Sequence, residues 1–147
     1  MYAIDIKKHT YASPRQLLRI WRNPQVLLKS ATSIKKFEVL KRDKNNTFTA
    51  WDVDVDKVLI KWNQQDSLDI KNGLINFKIC DGEFNGYDGV WSIKSVSRKI
   101  VELSVHVNID WGIPILAPYV EKMLQKKTYR IFLNFINIID QISHDER

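Results

Sequence analysis

The sequence predicts an α+β domain in which a curved antiparallel sheet wraps one long C-terminal helix, in the order β-α-α-β6-α. Three observations predict it. The middle of the chain alternates apolar and polar residues between short turns. A capped amphipathic helix precedes that run. A long stretch of helical periodicity, entered through two prolines, follows it.

The first element is a short strand in MYAIDIKKH, where Tyr2, Ile4 and Ile6 alternate with polar neighbours. Ser13-Pro14-Arg15-Gln16 then starts a helix: serine caps, proline suits the first helical position, and Gln16 completes a capping box. Leu17, Ile20 and Trp21 share its apolar face, with Arg15, Arg19 and Arg22 opposite. Asn23-Pro24 breaks this helix and caps a second short one running to about Ser30.

Six strands follow: Lys36–Lys41, Thr47–Val55, Leu59–Ile70, Leu74–Cys80, Tyr87–Ser95 and Lys99–Asp110. Asp43 to Asn46, Asn72-Gly73, and Asp81-Gly82 through Gly86 supply turn chemistry between them, so the strands form a meander. The last is the clearest. Val101, Leu103, Val105, Val107 and Ile109 take one face, and Glu102, Ser104, His106, Asn108 and Asp110 the other. In DWGIPILAPYVEKML, Gly112 ends that strand, Pro114 stiffens the crossing, and Pro118 begins a helix without losing a needed N–H. The helix runs to about Ser143 with Val120, Leu124, Ile131, Phe135, Ile138 and Ile142 in one stripe. Tyr129, Leu133 and Ile136 lie opposite, where they call for a second packing partner, either the N-terminal helices or another subunit of a homodimer.

A chain of 147 residues with 44% hydrophobic and 27% charged residues suits a single soluble domain spanning residues 1–147. Its one cysteine, Cys80, excludes an internal disulfide framework and points to a reducing, cytoplasmic setting. No secretory h-region is present, and no apolar run approaches the roughly 18 residues of a membrane span. The net charge of +6 favours encounters with anions and says nothing of mechanism.

These residues resemble a known family. Phe48-Thr49-Ala50-Trp51-Asp52-Val53-Asp54-Val55, then Trp62, Asp81-Gly82-Glu83-Phe84, Gly89-Val90-Trp91 and Gly112-Ile113-Pro114-Ile115 look like the START-like helix-grip (SRPBCC) superfamily. Within it they are most similar to the polyketide cyclase/dehydrase or coenzyme Q-binding START branch. The resemblance implies a hydrophobic cavity between sheet and last helix that binds lipids, quinones or polyketides. Some members catalyse cyclisation or dehydration there, others only carry, and some relatives are ribosome-associated. The family has no universal catalytic motif, so the resemblance assigns no catalytic residue. No cofactor is expected.

Strand alternation selects the residues that face such a cavity: Trp51 and Val53, Phe77, Trp91 and Ile93, Leu103 and Val105. Leu124, Ile131 and Phe135 face it from the helix, and Trp111 and Ile115 at its entrance. For any one of them a filled core is the plainer reading. If Trp62 faces inward, so do Gln64 and Asp66 at period two, unless a bulge flips the register. An inward carboxylate then belongs to a site or to a wet mouth. Lys127, on the apolar stripe of the last helix, could meet an anionic ligand group or snorkel to the sheet edge.

Asp52, Asp54 and Asp56 look superficially like a calcium loop, but Lys57 and Asn63 stand where that loop needs Gly and Glu. His9, His106 and His144 have no metal-ligand spacing with Cys80, so no metal is expected. The sequence therefore favours binding or carriage of a hydrophobic small molecule, with cyclase/dehydrase-type proton transfer as the chemistry if there is any. The alternative is a protein of the same fold docking on RNA, the ribosome or an anionic membrane through Arg15, Arg19 and Arg22.

Overall fold

The structure is a computed structural model that describes residues 2–22, 34–55, 57–82, 86–110 and 118–145. Strand β1 (Tyr2–Thr10) leads into helix α1 (Pro14–Arg22). Then come β2 (Ile34–Asp43), β3 (Asn46–Val55), β4 (Val58–Asp69), β5 (Leu74–Gly82), β6 (Gly86–Ser95), β7 (Val101–Asp110) and helix α2 (Pro118–Asp145). The second short helix expected near Asn23–Ser30 lies outside the described residues.

All seven strands join one antiparallel sheet in the order β1-β7-β6-β5-β4-β3-β2. Sequential neighbours pair through hairpins. The first strand returns to the far edge beside β7, with Tyr2 opposite Ile109 and Thr10 opposite Val101. This is the helix-grip arrangement, a curved sheet closed over α2.

The capping box at α1 forms as the sequence predicts. The Ser13 backbone N–H donates to Gln16 Oε1 at 2.8 Å, and the Gln16 N–H donates back to Ser13 Oγ at 3.2 Å. The helix buries Leu17 and Ile20 and leaves Arg15 and Arg19 exposed. Asp54 accepts from the Lys57 N–H in the β3–β4 turn, and Asp52 sits 3.9 Å from Lys61 Nζ, so these carboxylates serve the hairpin.

Helix α2 departs from the expected stripe. Among its described side chains, Thr128, Phe132, Ile136 and Ile139 are buried, while Ile131, Phe135 and Ile138 are half-buried on one flank. Ile136, assigned from the sequence to a face needing a further partner, is wholly buried, and Leu133 is half-buried against the main core; only Tyr129 of that trio is exposed. Two apolar clusters explain the width. The larger joins β1, β5, β6, β7 and α1, and the smaller joins Ile34, Trp51, Val53 and Ile60 to the Ile131–Ile138 flank. A sheet that curves around a helix covers more of it than a flat one. Polar ties fix the helix to the first strand: Thr10 Oγ1 donates to Asp140 Oδ1, and Lys8 Nζ donates to Asn137 Oδ1 at 2.8 Å.

Candidate functional site

Beneath α2 the concave face holds a partly open cavity of about 60 Å³. It is lined by Ile20 and Trp21 of α1, Trp51 of β3, Trp62, Gln64 and Asp66 of β4, and Phe77 of β5. Tyr87 and Trp91 of β6 and Phe132, Phe135 and Ile139 of α2 complete it. The rings form a connected set. Trp51 and Trp62 lie parallel with centroids 5.9 Å apart, Tyr87 sits 5.6 Å from Trp62, and Trp21 meets Trp91 edge-on at 5.2 Å.

Three inward positions on β4 supply the polar groups. The Trp62 Nε1–H donates to Gln64 Oε1 at 3.0 Å, and Gln64 Nε2 donates to Asp66 Oδ1 at 2.7 Å. The register explains how they stay on one face. Asn63 pairs with Asp81 and Gln64 with Ile79, so the extra residue of the irregularity is Cys80 on β5. β4 keeps its period of two.

Burial pushes the Asp66 carboxyl from 3.8 up to about 6, against the smaller opposing effect of the Gln64 N–H. Burial, and secondarily the Asp66 charge, pushes the Tyr87 phenol well above its usual value, so Tyr87 stays protonated. Among the described lining residues, Asp66 is thus the group that titrates near neutrality.

Two glycines make room for these rings. A Cβ on Gly89, between inward-facing Tyr87 and Trp91, would lie 2.4 Å from Phe77 Cζ and from the His106 carbonyl oxygen. A Cβ on Gly82 would lie 2.5 Å from Trp62 Cβ. The Phe77 ring occupies the space that a side chain at 89 would fill.

Of the residues that alternation and helical spacing select for the cavity, Trp51, Trp62, Gln64, Asp66, Phe77, Trp91 and Phe135 come together around it. Val53, Ile93, Leu103 and Val105 do not line it. They face the same way but are buried in the two apolar clusters. Ile131 is packed against the smaller cluster instead. Trp111, Ile115 and the side chain of Leu124 lie outside the described residues. Lys127 is half-buried on α2 and is not a lining residue.

Sequence reasoning missed Tyr87, Phe132, Ile20, Trp21 and Ile139. Tyr87 was findable, since it stands four residues before Trp91 and shares its face. Arg15 and Arg19 border a separate open depression of about 460 Å³ with Leu18 and Ile70. No described helix is long and apolar enough to cross a membrane.

Comparison with known proteins adds to this geometry. The family model for polyketide cyclase / dehydrase and lipid transport matches residues 11–136. No curated protein matches the chain. Among solved structures, a Thermus thermophilus protein superposes with a TM-score of 0.91 at 16% identity, covering 99% of each chain. The Zhui aromatase/cyclase from Streptomyces sp. R1128 gives 0.85 at 13% identity, covering 97% of this chain and 93% of that one. A START superfamily protein from Mycobacterium smegmatis gives 0.80 at 15% identity over the whole of both chains. At these identities the likeness is one of fold.

Proposed function

The chain belongs to the polyketide cyclase / dehydrase and lipid transport family, and from that premise we propose that it binds a hydrophobic small molecule in the aromatic cavity. The observation that carries this reading is the convergence of Trp62, Gln64 and Asp66 on one apolar space. A carboxyl desolvated enough to rise to about 6 lowers stability at neutral pH, and structure alone gives no reason to keep it. An apolar pocket with a few convergent polar groups and a perturbed carboxyl is the usual form of a ligand site.

The size of the cavity limits its occupant. About 60 Å³ suits a small head group, well short of the roughly 300 Å³ of a drug-sized site. A larger ligand has to displace lining side chains, of which Trp21, Trp62 and Phe135 are half-buried rather than fully enclosed.

Binding or carriage is the primary reading. Turnover of the cyclase/dehydrase type would use Asp66 as its proton-transfer group, because its carboxyl titrates close to working pH. Solvent extraction and native mass spectrometry of the purified protein test the reading. A co-purified apolar compound, displaced by an added apolar probe, is the expected result. No bound compound, together with tryptophan fluorescence indifferent to apolar probes, would overturn it. Docking on RNA or an anionic membrane through Arg15, Arg19 and Arg22 has only the exposure of Arg15 and Arg19 behind it. Its test is salt-dependent binding that weakens when the three are replaced together.

A further inference from the structure

The side-chain hydrogen bonds among the inward positions Trp62, Gln64 and Asp66 of β4 run one way. The indole of Trp62 donates to Gln64, Gln64 donates to Asp66, and the line ends on a carboxyl group. Among the described residues, Gln64 is the one hydrogen-bond donor that reaches Asp66, through Oδ1. Among the described residues the second carboxylate oxygen has no donor, and it is open to one from a ligand. A ketone, an ether or a carboxylate cannot fill that role toward an ionised Asp66.

Charge narrows the choice further. No Lys, Arg or His stands among the described lining residues, and Lys127, the candidate cation of α2, is not one of them. Most of the surrounding surface is aromatic, and aromatic faces are the negative side of a quadrupole. A fatty acid or other anion entering here would meet a carboxylate and ring faces of the same sign. A hydroxyl would supply the missing donor but no counter-charge. An ammonium supplies both.

We propose that the polar end of the ligand is a protonated amine, which donates to Asp66 and sets its charge against the rings of Trp62, Tyr87 and Phe77. This inference rests on the reading of the cavity as a ligand site and goes past it, to the class of compound. The volume is consistent with an amine head group, the apolar remainder of the ligand displacing rings as described above.

Asp66 also gives the inference a pH signature. The elements packed around it present Thr47 on β3, Gln64 on β4, Phe77 on β5, Tyr87 on β6, Trp21 on α1 and Phe132 on α2. Of these only the Tyr87 phenol titrates, and it stays protonated. Among the described residues, Asp66 is then the group that governs amine affinity in the range around its own value of about 6.

Calorimetric titration with hexylamine, hexanol and hexanoate, which share one skeleton, tests the inference. At pH 7 hexylamine should bind at least about tenfold more tightly than hexanol, the size of effect a desolvated cation–aromatic contact supports, and hexanoate least. Asp66→Asn should abolish the amine preference, leaving hexylamine bound no more tightly than hexanol. In the unaltered protein, hexylamine affinity should fall as pH drops through about 6 while hexanol affinity holds. Hexanol binding as tightly as hexylamine, or an amine preference that survives Asp66→Asn and low pH, would overturn the amine inference and leave the cavity reading standing. Binding of none of the three would overturn both.

Discussion

Along β1 and β7 the inward positions are Ile4, Ile6, Leu103, Val105, Val107 and Ile109, and each is almost completely buried. Along β4, β5 and β6 they include Trp62, Gln64, Asp66, Phe77, Tyr87 and Trp91, and these six surround a cavity. The two regions share one sheet, one alternation and one covering helix. They differ in side-chain shape. Branched aliphatics interlock at close to crystal density. Flat rings with fixed outlines meet at edges and offset faces, and a hydrogen-bonded trio cannot close-pack between them. One region of the sheet is close-packed, and the other encloses a cavity.

The largest expected effect comes from hollowing the solid end. Ile136 is wholly buried in the main cluster, so Ile136→Ala should cost about 3–4 kcal/mol in denaturant unfolding, with apolar-probe binding changed less than about twofold. A cost under about 1 kcal/mol would mean that this end is not solid, and the contrast would fail.

Next comes a substitution in the hollow end that stabilises. Asp66 has its folded pKa raised from 3.8 to about 6, so the native state keeps a proton that the unfolded chain releases. Stability from this group is therefore fully present below about pH 4 and is lost as pH rises through about 6. At neutral pH the deficit is at most about 3 kcal/mol. Asp66→Asn keeps an acceptor for Gln64 and removes the buried charge. It should raise the melting temperature at pH 7, with the gain vanishing near pH 4. A variant less stable than the original protein at pH 7 would show that the carboxylate is part of the structural core.

Filling the space from the sheet side should have a smaller effect. Gly89→Ala places a methyl 2.4 Å from Phe77 Cζ and from the His106 carbonyl oxygen. Overpacking of this kind costs about 1–3 kcal/mol, and displacement of the Phe77 ring should weaken probe binding as well. Unchanged binding would put the ligand elsewhere. Smallest is Trp62→Phe, which leaves buried Gln64 Oε1 without its donor and should cost about 1 kcal/mol in thermal unfolding. No measurable change would mean that water replaces the indole, and that this end is wetter than the solid one.

Much of this contrast could be read in the sequence, and some could not. Period two placed Trp51, Phe77 and Trp91 on the same side as Leu103 and Val105, and the structure agrees on the side. It could not tell which of them would line a void, because alternation reports direction and not volume. The inward set at Trp62, Gln64 and Asp66 depended on where a bulge fell, and only the pairing places the extra residue at Cys80 on the other strand. Helix α2 resisted for a different reason. Ile131, Phe132, Leu133, Phe135, Ile136, Ile138 and Ile139 are apolar nearly all round, so periodicity could not single out the face centred on Phe132 and Ile136. The capping box of α1, by contrast, was fully legible, because its partners lie within four residues of each other.

On the function proposed here, the aromatic part of the concave face receives an apolar ligand while the aliphatic part does not. Indole and backbone N–H signals recorded by NMR during a hexanol titration test it most directly. The indole signals of Trp51, Trp62 and Trp91 should move together and saturate, with the backbone amides of Val105 and Val107 unmoved. Shifts centred on Arg15 and Arg19, or no saturable shift at any indole, would contradict it.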